Sequence, residues 1–162
     1  MSFVCSVCGE THDGFPALAL KAPDHWITLS PEQQALGKID ANLCASPDGH
    51  FFVRCVFVIP IVDGPEPNLE LGPWSSLSEE NFWRYVETFK DADQSKIGDM
   101  FGWLSNELRG FPNLINLKGR VWPQDNNKRP FLELEPTNHS LSVAQREGIT
   151  FEHAHQIASN SL

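Results

Sequence analysis

Apolar residues along the chain recur in two rhythms, a period of two in short blocks and a period near 3.6 in fewer, longer ones. Ala17–Leu20 and His25–Leu29 are brief apolar runs bounded by Gly14, Pro16 and Pro23, and both predict short strands. Ser30-Pro31-Glu32-Gln33 is a helix-opening signature, with Ser30 as cap, Pro31 in the first helical position and Gln33 closing a capping box; the helix is expected to end near Gly37. Asp40–Asp48 is polar and turn-rich. It leads into Phe51–Val62, where aromatic and β-branched residues occupy both parities, as in a central strand covered on both faces. Arg54 interrupts that strand and requires a partner or a solvated face. Leu69–Trp74 is expected to pair back on it.

Ser76-Leu77-Ser78-Glu79 predicts a capped helix bearing Phe82, Tyr85, Val86 and Phe89 on one face. Met100–Leu108 predicts a second short helix closed by Gly110 and Pro112. From Leu114 to Trp122, Ile115, Leu117, Gly119 and Val121 alternate with Asn116, Lys118 and Arg120, the pattern of a strand with one wet face. The turn at 124–128 returns it to Phe131–Glu135 as a hairpin. Ser142 predicts a cap for a short helix stopped at Gly148, and Thr150 caps a final helix carrying Phe151, Ala154, Ile157 and Ala158.

These elements predict an α+β fold in one domain spanning 1–162: an antiparallel sheet built on Phe51–Val62 and the Leu114–Glu135 hairpin, with helices mainly over one face. No internal repeat or long linker divides it. Of 162 residues, 41% are apolar and 20% charged, and no apolar run reaches the ~20 residues that span a bilayer. The start, Met1-Ser2-Phe3-Val4, carries neither a basic region nor a long apolar stretch, so a cytoplasmic location is expected. Twelve basic against twenty-one acidic residues leave a formal charge of −9, which opposes binding to a phosphate backbone. Lys118, Arg120, Lys128 and Arg129 form the one loose basic cluster. Nucleic-acid and membrane partners are therefore not expected, whereas an acidic surface with aromatic patches suits a basic protein partner, as in a toxin-neutralising module.

The sharpest chemistry lies at Cys5-Ser6-Val7-Cys8-Gly9-Glu10-Thr11-His12. Two thiols separated by two residues can grip one zinc ion from a tight turn, and Gly9 gives that turn backbone freedom. A structural zinc site needs four ligands. His12, His25, Cys44, His50 and Cys55 could complete it; Cys5, Cys8, His12 and Cys44 form the preferred set, because Cys44 is expected in a loop and Cys55 inside an apolar strand. Redox use of the cysteine pair is disfavoured, since Gly9 and Gly14 prevent the helix that normally follows such a motif. A site filled by four protein ligands stabilises a fold and leaves no position for activated water.

A second group, Arg129, Glu133, Glu135, His139, Gln145 and Glu147, could place a histidine base beside carboxylates. No nucleophile motif, Walker loop, dinucleotide fingerprint or H-E-x-x-H accompanies it, so a histidine at a helix start beside a solvated strand face is the preferred reading. Trp74, Trp83, Trp103 and Trp122 are partly flanked by polar residues and could mark a binding surface, although core packing is the commoner use of tryptophan.

Taken in order, Cys5-x-x-Cys8-Gly9-Glu10-x-His12, Asp40–Cys44 followed by Phe51-Phe52-Val53-Arg54, Gly72-x-Trp74, Ser78-x-x-Asn81-Phe82, Phe101-Gly102-Trp103-Leu104, Leu117-Lys118, Arg129-Pro130, and His139-x-Leu141 with Gln145-x-x-Gly148-Ile149 resemble the bacterial family catalogued as domain of unknown function 2199. The resemblance spans nearly the whole chain. It implies Cys5, Cys8, His12 and Cys44 as a set, with Cys55 standing where the family pattern would place a glycine. It brings no assigned activity. The expectation is a zinc-binding protein with a structural site and an interaction or regulatory role rather than an enzyme; the alternative is a metal-dependent enzyme in which water replaces one ligand.

Overall fold

A computed structural model of the chain describes residues 3–4, 11–12 and 18–160. Strands β1 (Phe3–Val4) and β2 (Thr11–His12) pair antiparallel. Then come β3 (Leu18–Ala19), α1 (Asp24–Ile27), α2 (Pro31–Ala35), β4 (Lys38–Ile39), β5 (Leu43–Ala45), β6 (Phe51–Arg54), β7 (Phe57–Pro60), β8 (Asn68–Gly72) and β9 (Trp74–Leu77). The chain continues through α3 (Glu79–Thr88), a 3₁₀ turn at Gln94–Ile97, β10 (Met100–Trp103), β11 (Lys118–Trp122), β12 (Phe131–Leu134), α4 (Ser140–Glu147) and α5 (Phe151–Asn160). The fold is α+β. Instead of one antiparallel sheet there are four small ones, ordered β1-β2, β3-β8-β7, β4-β5-β6-β9 and β10-β11-β12; the β3–β8 pairing is parallel and the others antiparallel.

The long apolar run Phe51–Val62 is two strands in two sheets. β6 lies between β5 and β9, while β7 pairs with β8, and the chain passes from one sheet to the other through Cys55 and Val56. The returning segment breaks at the matching place, Pro73, between β8 and β9. In β6 both faces meet core, Phe52 in one apolar cluster and Val53 in the other, whereas beyond the crossing Cys55, Phe57 and Ile59 are fully buried and Val56, Val58 and Pro60 only half-buried.

Two expected elements change type. His25–Ile27 lies in helix α1, which follows Pro23 at its cap, where proline's missing amide costs nothing, and ends at Thr28. Met100–Trp103 is a strand. Met100 and Gly102 face the core whereas Phe101 and Trp103 face outward, so closely spaced apolar residues that mimic a helical stripe instead obey a period of two. Two caps also move. Ser78 caps α3, its Oγ accepting from Asn81 N at 3.1 Å, while Ser76 stays in β9 and accepts from Trp103 N at 3.0 Å. His139 caps α4 in place of Ser142.

Other local signals hold. Ser30 and Gln33 form the reciprocal capping box, the β11–β12 hairpin pairs Trp122 with Phe131, Gly148 ends α4 with φ +84°, and Thr150 Oγ1 accepts from His153 N at 3.1 Å. The main core gathers Phe57, Ile59, Leu69, Leu104, Val121, Leu132 and Ala154. A smaller cluster of Ala22, Trp26, Cys44, Phe52 and Trp74 lies apart from it.

Close approach of β10 to β9 depends on Gly102. A methyl group there would run into the Ser75 hydroxyl and come within 2.5 Å of the Ser76 carbonyl oxygen. Gly102→Ala is expected to destabilise the protein by about 1–3 kcal/mol, seen as a lower urea midpoint at unchanged m-value.

Candidate metal centre

The segment joining β5 to β6 is Ser46-Pro47-Asp48-Gly49-His50. Proline presets the turn, and Gly49 takes the left-handed conformation (φ +88°) that closes it. Ser46 N donates to His50 O at 2.9 Å, and Gly49 N to Ser46 O at 3.2 Å. The Ser46 hydroxyl donates to Asp48 Oδ1 at 2.5 Å and accepts from His50 N at 3.1 Å, so one buried serine orients both flanking residues. Opposite stands α1, anchored from below. Asp24 N donates to Ser105 O at 3.0 Å, and the Asp24 carboxylate accepts from Asn106 Nδ2 and Glu107 N, each at 2.9 Å. Trp26, buried in the small cluster, fixes the helix rotation that presents His25 to the turn.

His25, Asp48 and His50 thereby meet, with one ligand atom from each all within 4.8 Å of one another. His25 Nε2 lies 2.8 Å from Asp48 Oδ2, and His50 Nε2 lies 3.9 Å from the same oxygen. The imidazole rings stand edge to face with centroids 4.6 Å apart, and Phe52 backs both at 6.1 and 6.4 Å. Ligands of a tetrahedral zinc at ~2.0–2.1 Å are about 3.3 Å from one another, so small side-chain rotations would admit an ion. His25 and His50 also line a cleft of about 540 Å³ with Thr28, Phe52, Trp103 and Asn116. The Ser46 hydrogen bond, assisted by His25, holds the Asp48 carboxyl below its ordinary range. A depressed folded-state value means that this carboxylate adds stability above its unfolded value and loses it as pH falls through the folded one. Carbon-13 titration of Asp48 is expected to show a midpoint below that of a free aspartate, and Ser46→Ala to raise it.

Of the residues singled out from sequence, Cys5 and Cys8 lie outside the described residues, as does the side chain of His12, whose backbone sits in β2 opposite Phe3. Cys44 is in strand β5 rather than a loop, directly across from Phe52. It is 1% exposed, and burial, with Asp40's charge adding, pushes its thiol up to about 12. Cys55 is wholly buried in the main core, its thiol donating to Val53 O at 3.6 Å, and burial pushes it up as well. His139 is a structural residue: Nδ1 accepts from Leu141 N at 3.1 Å, which leaves Nε2 to donate to Pro112 O at 2.8 Å. Gln145 clamps β12 through Leu134 N and Leu132 O. Trp74 is fully buried, whereas Trp83, Trp103 and Trp122 are exposed. His25 and His50 stood among the possible zinc ligands, but their union with Asp48 was not foreseen; the available signal was Asp-Gly-His in a tight turn, which orients two ligands from one loop.

A buried, protonated thiol reacts slowly. Iodoacetamide at pH 8 is expected to leave Cys44 and Cys55 unmodified in the native, metal-free protein and to label both in guanidinium, read by peptide mass spectrometry.

Residues 4–149 match the family described as "Uncharacterized protein conserved in bacteria (DUF2199)". The chain belongs to that family. No curated protein and no solved structure matches it. No helix among the described residues is long and apolar enough to cross a membrane.

Proposed function

We propose that the protein binds a divalent transition-metal ion through His25, Asp48 and His50. The observation that carries this is the convergence of two imidazoles and a carboxylate from two elements, α1 and the 46–50 turn, each held in place by hydrogen bonds that leave the ligand atoms facing one another. Two nitrogens and one oxygen suit zinc, iron or cobalt better than calcium or magnesium, which favour all-oxygen sites. Three protein ligands leave a coordination position open toward the cleft, the arrangement of an ion that meets a ligand or water rather than one that only staples a fold.

A second reading concerns the N-terminal thiols, with zinc as the ion and Cys5, Cys8, His12 and Cys44 as its ligands. Its support is the antiparallel pairing of β1 with β2, which places Cys5 and Cys8 in sequence between two paired strands, as in zinc-binding turns. Such a closed site would stabilise the fold beneath an interaction or regulatory role. The two readings involve separate side chains, so substitutions tell them apart.

Titration calorimetry with zinc or cobalt(II) on metal-stripped protein is expected to show one site lost or weakened at least tenfold by His25→Ala or His50→Ala. The same site is expected to survive Cys5→Ser. Because ligand nitrogens must be free of protons, affinity should fall as pH is lowered. Unaltered cobalt binding in the His25→Ala/His50→Ala double variant would refute the assignment.

A further inference from the structure

Arg54 ends strand β6 in surroundings that do not neutralise it. Its Nη1 donates to Ala41 O at 3.1 Å, its backbone N donates to Asn42 O at 2.9 Å, and its buried Nε has no hydrogen-bond partner. The same turn receives a second guanidinium: Arg129 Nε donates to Asn42 Oδ1 at 2.9 Å. Arg129 is brought there by the backbone, since Val56 N donates to the carbonyl of the next residue, Pro130, at 2.8 Å. No carboxylate among the described residues forms an ion pair with either arginine. Burial, followed by the positive charge of Arg129, holds the Arg54 guanidinium below its ordinary range, as expected where cations meet without an anion.

Two like charges on one turn, one partly desolvated, are costly unless an anion completes them. In a chain of net charge −9, twenty-one acidic residues could have supplied that anion, yet even the neighbouring Asp40, whose Oδ1 accepts from Asn42 N at 2.7 Å and Leu43 N at 2.8 Å, forms no ion pair with either arginine. We propose that Arg54 and Arg129, converging on the Ala41–Asn42 turn, form a binding site for the phosphate group of a small molecule. Paired guanidiniums match phosphate in charge, and Arg129, with both Nη groups uncommitted among the described residues, can direct parallel N–H groups at two oxygens while Arg54 adds Nη2. Arg129, being exposed, supplies the access, and Arg54 supplies a cation already stripped of part of its water. This site shares no residue with His25, Asp48 and His50 and stands or falls without them.

The test uses inorganic phosphate as probe, with acetate as control, at constant ionic strength and pH 7.5, followed by nitrogen-15 correlation spectra that include arginine Nε–H signals. Saturable shifts are expected at Arg54, Arg129 and Asn42, with phosphate binding at least tenfold tighter than acetate. Arg129→Gln should weaken phosphate at least tenfold while circular dichroism stays unchanged. Should that variant fail to fold, Arg129→Lys, which keeps the charge and loses the fork, should show a smaller but measurable loss. Equal responses to phosphate and acetate, shifts that do not saturate, or full affinity in the folded Arg129 variant would each overturn the proposal.

Discussion

Three consecutive backbone amides carry the architecture. Arg54 N donates to Asn42 O at 2.9 Å, Cys55 N to Pro73 O at 2.8 Å, and Val56 N to Pro130 O at 2.8 Å. A buried amide must be paired, and here each successive one finds a different segment. Arg54 therefore closes the four-stranded sheet, Cys55 ties the crossing to the break in the returning strand, and Val56 brings the β11–β12 hairpin against the start of β7. Leu132 N completes this last contact by donating to Val56 O at 2.9 Å. Prolines at two of the three acceptors bring no amide of their own, so at those positions only the carbonyl needs a partner.

The His25–Asp48–His50 cluster depends on a second chain of polar contacts, one step removed. Trp74, directly across from Arg54, has its backbone N bound to Asn106 Oδ1 at 2.7 Å and its indole N–H donating to Leu20 O at 2.8 Å. Asn106 then donates to Ala22 O and to Asp24 Oδ1, each at 2.9 Å. One asparagine, 2% exposed, thus connects the sheet to the segment that enters α1 and to its first residue. Each such buried group left unpaired would cost about 1–3 kcal/mol. That is enough to keep a helix of only four residues in register, although its own hydrogen bonds could not. His25 inherits its position from this network.

Physical chemistry explains which parts could be read from the chain. The capping box at Ser30, the α3 stripe, the β11–β12 hairpin and the Gly148 stop depend on residues close in sequence, so propensity and period were sufficient. Phe51–Val62 was legible as buried but not as divided, since the division is made by partners at Pro73 and Pro130, far along the chain. Met100–Trp103 misled because its outward residues, Phe101 and Trp103, are aromatic, which erased the polar half of the alternation. Of the site, the 46–50 turn overlaps the turn-rich Asp40–Asp48 segment, which also hides β5, while His25 enters only through Asn106 and Ser105, some 80 residues downstream of it. Cysteine spacing is a local signal and histidine convergence is not, so the thiols are legible as a motif and the imidazoles only as separate residues.

The β5–β6 hairpin places two opposite electrostatic demands within a short span. At its turn sit Asp48 and His50, met there by His25 from α1; at its open end, beyond three paired positions, sit Arg54 and Asn42. At about 3.3 Å per residue the four steps between His50 and Arg54 span about 13 Å, beyond the ~8 Å screening length in physiological salt. The overall charge of −9 raises the local concentration of cations, so an ion at the turn gains from the whole protein as well as from its ligands. An anion at the open end would be opposed by that field and would have to be drawn by the guanidiniums alone, at contact distance and partly out of water. On the two proposals above, this asymmetry accounts for cation ligands that stand partly exposed and for an Arg54 partly withdrawn into the protein.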